Sequence, residues 1–493
     1  AQKEVLRRIL NNNADTGFGV TYKFPQISNV EQFRHCVPVH NYEELRVFID
    51  KQEKEKKAYI TREQPFMYAQ TSGTTGVPKY VPILDSSVSH YKKAQQAFSY
   101  ALYTAIPGVY KGKVLSIRSP AIEGYLETGT PYGAMSSLIE KSMPLVVRSK
   151  FVVPNEVFEI EDYGLKYYLI ALFSLVENDI SLIGSANPST LLHLSDVIQK
   201  EASELIRDID TGSVSRLEGM ETEKMDSINR KFVRSPRRSY YLENLLSATG
   251  GLKLAAIWPD LKAVCTWMGG SCKVLIPSLK HLLPSTTQII EIGYLSSEFR
   301  GSNTIDASRN LCIPSIDENF YEFVQKEQWE NHNPVFCTVN QIEFGKQYYV
   351  FATTQNGLYR YDINDIVEVT GKYNETPTIE FVQKGKGVTN ITGEKLYESH
   401  LIQVVIRVRR ELGIDVRFFM MLADPVALKY SLYLESKPDE GIDLLGYVET
   451  QLFGLNIEFE SKRKSGRLRP TELIFLENGT GEEYKKYCIG NKN

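Results

Sequence analysis

Gln70-Thr-Ser-Gly-Thr-Thr-Gly-Val-Pro-Lys-Tyr-Val-Pro82 holds two glycines, a cluster of hydroxyls, one lysine and no acid. The apolar run before it, residues 65–69, has the character of a strand, and from Ser86 onward the pattern turns helical. Gly73 and Gly76 permit a tight turn and a close approach of backbone to ligand. Bare N–H groups in such a turn make an anion nest. Thr71, Ser72, Thr74 and Thr75 add hydroxyl donors, and Lys79 adds a point charge. The competing reading is a polar surface turn, but a polyphosphate grip explains the whole set. Spacing excludes the commonest grips. A P-loop has four residues between its glycines and Ser or Thr after its lysine, whereas two residues separate Gly73 from Gly76 and Lys79 follows three later.

Working outward, 493 residues suit two or three domains, and 42% hydrophobic content is ample for a core. The net charge of −3 offers no electrostatic case for nucleic acid or an anionic membrane. Six cysteines (36, 265, 272, 312, 337 and 488) form no C-x-x-C and no metal-ligand spacing with histidine, so buried, reduced thiols are expected. No apolar run reaches membrane-spanning length. The expectation is a cytoplasmic protein, a monomer before an oligomer.

Helices are expected over residues 1–12, 42–49, 89–103 and 188–199, and strands over 113–117 and 180–186. Residues 200–240 are highly charged and read as peripheral, with the basic run 234–238 on the surface. Strands over 261–268 and 287–292 each end in small polar residues, Gly269-Gly270-Ser271 and Gly293-Tyr-Leu-Ser-Ser-Glu298. Such ends suit an α/β sheet with ligands at its carboxyl edge, which makes Ser271 a nucleotide-site candidate. Residues 335–382 are β-branched and aromatic, and Asn356-Gly357 signals a hairpin before Leu358-Tyr-Arg-Tyr361. This reads as an antiparallel subdomain. The domain boundary falls at 383/384. Beyond it a helix capped by Ser399, strands over 416–422 and 430–435, a helix over 444–455 and a strand over 472–476 make a small α+β domain.

The loop's T-S-G-T-T-G-x-P-K pattern resembles the phosphate loop of the adenylate-forming superfamily. Gly293–Glu298 is similar to its adenine and magnesium motif, Leu358-Tyr-Arg-Tyr-Asp-Ile-Asn-Asp365 to its ribose motif, and Glu483-Tyr-Lys-Lys-Tyr487 stands where its terminal lysine motif belongs. F-R-x-x-V-P-V, I-W-P-x-L-K, Y-x-S-S-E, N-F-Y-E-F and G-L-Y-R-Y resemble the Gretchen Hagen family of acyl-acid amido synthetases over nearly the whole chain. Its short loops look more like bacterial members than the plant auxin or jasmonate enzymes.

The resemblance implies a large N-terminal adenylate-forming domain, residues 1–383, of mixed sheets with a β-barrel-like subdomain. A small C-terminal lid follows, residues 384–493. It implies that a carboxylic acid attacks ATP to give acyl-adenylate and pyrophosphate, and that an amino acid's amine then displaces AMP. Ser72, Gly73, Thr74, Thr75, Gly76 and Lys79 would hold the departing pyrophosphate. Glu298 would offer hard oxygen to Mg2+. Tyr294 would stack on adenine, Ser297 would donate to the AMP phosphate, and Asp365 would accept from the ribose hydroxyls. Lys485 would bridge the attacking carboxylate and the α-phosphate, with Lys486 as its competitor. An acyl-CoA ligase and a catalytically inactive nucleotide-binding regulator are the alternatives. The pattern departs from the superfamily twice. Asn364 stands where glycine usually precedes the aspartate, and residues 384–396 lack the hinge Arg-x-Asp. The acyl pocket is expected among residues 118–136, 183–187 and 268–272. Arg118 meets either a substrate carboxylate or a structural partner.

Overall fold

In the computed structural model, residues 1–71, 78–135, 143–217, 222–385, 388–389, 391–392, 394, 396–436, 441–464 and 468–490 are described. They divide into two compact units that interleave along the chain. The first comprises 1–267, 279–363 and 368–380, and the second 268–278, 364–367 and 381–493. The segments 268–278 and 364–367 thus join the second unit from within the range 1–383.

Between the strand and the helix of the opening stretch lies a second strand. Met67–Thr71 pairs antiparallel with Lys79–Ile83, with Thr71 opposite Lys79, before the helix Asp85–Ala105 begins. The strands on either side of residues 72–77 therefore pair as a β-hairpin. Lys79–Ile83 lies at the edge of a four-stranded sheet that continues through Pro131–Tyr132 to Gly124–Tyr125. An edge strand tolerates Pro82, which has no ladder N–H to lose.

Lys113–Ser116, Ile180–Gly184, Ala263–Thr266 and Gln288–Glu291 form a parallel sheet in sequence order. The helix Tyr163–Val176 is buried from Tyr167 through Leu175, as befits a helix apolar on all sides. The charged stretch after residue 200 is not peripheral. Leu205, Ile206, Ile209, Ile228 and Phe232 belong to this same core. Charge on one face of each helix hid an apolar stripe on the other. Nor is the basic run wholly on the surface. Arg238 is buried, and its guanidinium donates to the carbonyls of Leu175 (2.7 Å), Glu177 (3.2 Å) and Ile257 (3.1 Å). Three carbonyl dipoles stand in for water around the buried charge.

The third sheet runs in the order Phe336–Thr338, Phe320–Gln325, Gln347–Thr353, Tyr361–Tyr373 and Thr376–Lys384. Its second strand carries the N-F-Y-E-F wording. Leu358, Tyr359 and Arg360 do not alternate as a strand. All three are buried and Arg360 has φ 42°, so the strand starts at Tyr361.

In the second unit Phe418–Asp424 pairs antiparallel with Lys429–Glu435, which pairs parallel with Glu472–Leu476. Helices Glu398–Leu412 and Leu444–Leu455 bury Leu401, Val404, Val405, Val408, Val448 and Leu452 in the unit's core. Tyr397, not Ser399, is the N-cap, with a reciprocal bond to His400. Ser399 sits one residue inside the helix, where its backbone N–H donates to Gln383 Oε1 at 2.8 Å. All six cysteines are free thiols, but only Cys265 and Cys312 are buried, and Cys488 is exposed.

Candidate active site

Ser72, Gly73, Thr74, Thr75 and Gly76 lie outside the described residues. Lys79 opens the strand beyond them, and its Nζ donates to the hydroxyl of Tyr361 at 3.2 Å. The ammonium stands 5.6 Å from the ring centre of Tyr42 and 5.9 Å from that of Tyr361, within cation–π range. The hydroxyl of Tyr361 donates in turn to Glu298 Oε1 at 3.4 Å. Two of the expected residues, far apart in sequence, are thus joined through a third that the sequence did not single out.

The helix Tyr42–Glu55 grips the chain where it leaves the loop. Tyr42 donates its hydroxyl proton to the carbonyl of Tyr80 at 2.8 Å and accepts from the N–H of Tyr80 at 2.7 Å. Burial pushes the Tyr42 phenol well above its usual range, so it stays neutral and serves both bonds. Arg46, one turn on, donates to the carbonyl of Pro78 at 3.0 Å. Nothing in the local sequence marks these two as site residues.

Tyr294, Ser297 and Glu298 share one tight turn. The N–H groups of Gly301 and Ser302 donate to the carbonyl of Tyr294 at 2.8 and 3.0 Å, and Ser302 Oγ accepts from the N–H of Tyr294 at 2.8 Å. Gly293 has φ 94°, which favours glycine. The buried ring of Tyr294 lies against Gly301, where an added Cβ would come within 2.2 Å of it. Ser297 is exposed and Glu298 is 7% exposed. Asn356 holds this turn to the loop's exit strand, its Nδ2 donating to the carbonyls of Glu298 (3.1 Å) and Pro82 (3.2 Å). Read as a hairpin former, Asn356 carries a second role in its side chain. Among the described residues no group of three or more His, Cys, Asp or Glu side chains makes a metal site. A Mg2+ that keeps its waters and shares phosphate oxygens needs only one protein carboxylate, and Glu298 fits that demand.

Asp365, Ser271 and Lys485 belong to the second unit. Asp365 is buried and pairs with Lys384 Nζ at 2.5 Å. Asn364 before it has φ 59°. Asparagine is the residue after glycine that enters the left-handed region most readily, so the replacement of glycine preserves the backbone conformation glycine would adopt. Asn364→Gly should leave stability within about 0.5 kcal/mol of the parent, whereas Asn364→Val should cost about 1–2 kcal/mol. Urea titration of both variants checks this, and equal midpoints would refute it.

Ser271 is exposed on the turn Gly270–Leu275. The glycines before it have a packing reason: an added Cβ would lie 2.7 Å from the Phe381 carbonyl at Gly269 and 2.9 Å from the Phe381 ring at Gly270. Lys485 lies on the helix Thr480–Gly490 and pairs with Glu482 at 2.7 Å. The buried carboxylate of Glu435 sets that helix in place, accepting from the N–H groups of Gly479 (2.9 Å) and Gly481 (2.8 Å). Of the expected acyl-pocket segments, 183–187 lies at the carboxyl end of the parallel sheet, where the Trp267 N–H donates to the Ala186 carbonyl at 2.9 Å, whereas 268–272 belongs to the second unit. Arg118 stacks 4.5 Å over the ring of Phe158 and donates to Asn155 Oδ1 at 2.5 Å.

Residues 1–288 match the GH3 family N-terminal domain, 312–384 its central domain and 399–493 its C-terminal domain. Indole-3-acetic acid-amido synthetase GH3.3 of Arabidopsis thaliana is 24% identical over 99% of this chain and 86% of its own length. GH3.15 of the same plant is 27% identical over 82% of this chain and 71% of its own. The solved structure of a GH3.15 acyl acid amido synthetase superposes with a TM-score of 0.87 at 23% identity, covering 99% of this chain and 88% of that one. A 2-hydroxyisobutyryl-CoA ligase shares the fold more distantly, with a TM-score of 0.55 at 12% identity over 96% and 85% of the two chains. The adenylate-forming architecture expected from the loop outward is therefore present, and with all three domain types matched in order the chain belongs to the GH3 family.

Proposed function

We propose that the protein is an ATP-dependent acyl-acid amido synthetase. It adenylates a carboxylic acid, releases pyrophosphate, and passes the acyl group to the amine of an amino acid with release of AMP. The observation that carries this reading is the three-domain GH3 match, spanning relatives named as amido synthetases. The joined Lys79, Tyr361 and Glu298 support it from the geometry.

Each residue has a task set by its chemistry. Lys79, with Ser72, Thr74, Thr75 and the N–H groups of Gly73 and Gly76, neutralises charge on the β- and γ-phosphates as pyrophosphate leaves. Glu298 supplies the oxygen for Mg2+, which when bound offsets polyphosphate charge. Asp365 presents two acceptors to the ribose hydroxyls. Tyr294, Ser297 and Ser271 complete the nucleotide contacts. Lys485 places positive charge between the attacking carboxylate and the α-phosphate, where negative charge concentrates in the transition state.

Pyrophosphate exchange across a panel of carboxylic acids tests the reading. Exchange that depends on one class of acid is expected, followed by amide when amino acids are added. Thioester with CoA and no amide would move the protein to the acyl-CoA ligases. Well-folded protein that exchanges with no acid would refute catalysis.

A further inference from the structure

The hydroxyl of Tyr361 stands between a cation and an anion, accepting from Lys79 at 3.2 Å and donating to Glu298 at 3.4 Å. Its side chain is 1% exposed and that of Glu298 7% exposed, so bulk water competes weakly for these bonds. A second tie spans the same gap through the backbone. Asn356 bridges the carbonyl of Pro82, on the strand that Lys79 opens, and the carbonyl of Glu298 itself.

We propose that Tyr361 is the positioning residue of the polyphosphate end of the site: its hydroxyl keeps Lys79 and Glu298 from collapsing into a direct ion pair, so that both remain available to Mg-ATP. This rests on the roles given above to Lys79 and Glu298. Opposite charges in a poorly hydrated site attract strongly, and a direct pair would satisfy each at the expense of phosphate and cation. A phenol is neutral and both donates and accepts. It gives each charge one hydrogen bond that an arriving phosphate or cation replaces. Asn356 sets the backbone separation that leaves room for the phenol.

Tyr361→Phe removes the spacer oxygen and keeps the ring. Pyrophosphate exchange is measured against ATP at saturating Mg2+, and against Mg2+ at fixed ATP. Losing a hydrogen bond to a charged group predicts a rise of about tenfold in the KM for ATP and in the half-saturating Mg2+. At saturation kcat should fall less than about threefold, because the loss is in ground-state and transition-state binding alike. A purely structural loss would not produce the Mg2+ shift. AMP, which has no β- or γ-phosphate, should bind as it does to the parent. Asn356→Ala should shift the same two curves in the same direction.

ATP and Mg2+ curves of Tyr361→Phe that coincide with the parent's would overturn the proposal, whatever Asn356→Ala does. Loss of AMP binding in Tyr361→Phe would overturn it too, by making Tyr361 a core residue rather than a spacer. Lys79→Ala and Glu298→Gln serve as controls of the underlying reading. Unchanged ATP and Mg2+ dependence in those two would refute the site itself, while defects there beside a normal Tyr361→Phe would refute the spacer alone.

Discussion

Lys485→Ala should lower acid-dependent pyrophosphate exchange by about 10²–10³-fold, the cost of removing one donor aimed at developing charge, while ATP affinity stays within about threefold, as uniform binding is untouched. The helix that carries the lysine supports the choice over its neighbour. Gly481 approaches Phe418 so closely that an added Cβ would sit 2.5 Å from the Phe418 Cβ, and Tyr484 packs 5.9 Å from the same ring. Positions 481, 484, 485 and 488 share one face of a helix, so Lys485 leaves along the docked face, whereas Lys486 is turned about 100° away and is exposed. Glu435 fixes the start of this helix through two backbone N–H groups, which makes the lysine's base rigid. The pair with Glu482 is half exposed, with side-chain exposures of 38% and 24%. Such a pair contributes about 0–1 kcal/mol, so it restrains the ammonium without withholding it. Lys486→Ala should keep exchange within about threefold of the parent by the same reasoning. If Lys486→Ala abolishes exchange and Lys485→Ala does not, the assignment is off by one residue.

Glu322→Gln should be the most destabilising single change to the ribose-motif region. Glu322 is 1% exposed and accepts from Arg34 Nε at 2.8 Å and from Arg360 Nε at 2.8 Å. Arg360 also donates to the carbonyls of Arg34 (3.2 Å) and Val37 (2.9 Å), and its guanidinium lies 4.5 Å over the ring of Phe336. The Glu322 carboxylate therefore faces two guanidiniums, of which Arg34 is also paired with the exposed Glu31 at 2.8 Å. Removing the Glu322 charge leaves Arg360, itself 4% exposed, without its counter-charge, which costs about 3–5 kcal/mol. A Tm drop of about 6–10 °C follows from the entropy of unfolding of a large domain. Glu322→Asp should recover part of that loss, since the charge remains. Scanning calorimetry checks both, and a Tm for Glu322→Gln within about 2 °C of the parent would show that water reaches the cluster and screens it.

The same network explains why distant pieces of the family wording occur together. Arg34 of F-R-x-x-V-P-V, Glu322 of N-F-Y-E-F and Arg360 of G-L-Y-R-Y are one cluster. His40, just after the first of these, bridges in parallel to Tyr361, with its N–H donating to the Arg360 carbonyl at 3.1 Å and its carbonyl accepting from the Asp362 N–H at 2.9 Å. The left-handed φ of Arg360 turns its side chain toward Glu322 and leaves Tyr361 to begin the strand. The motif residues that read as substrate contacts are thus interleaved with residues that hold the motif in place.

Legibility followed the range of the forces involved. Hydrophobic period and turn chemistry are local, so the parallel-sheet strands, the long helices and the small α+β domain could be located from sequence. Amphipathic helices after residue 200 were misread because charge density masks an apolar stripe until a partner face is known; Ile209 and Phe232 are core residues in a charged context. Arg238 was misread for the same reason, as its three carbonyl partners come from residues 175, 177 and 257.

The loop at 70–82 was the most informative stretch by itself. Its glycines, hydroxyls and lysine read as a polyphosphate grip, and its order with Gly293–Glu298, Asp365 and Lys485 carried the resemblance to the adenylate-forming superfamily, whose fold the chain has. Its setting was not readable there. That the flanking strands pair as a hairpin, that Tyr42 and Arg46 hold the second of them, and that Tyr361 and Asn356 tie Lys79 and its strand to Glu298 are products of packing between segments up to 282 residues apart. A hydroxyl or amide becomes a positioning group only when tertiary folding removes water and brings its partners together, and no local pattern encodes that choice.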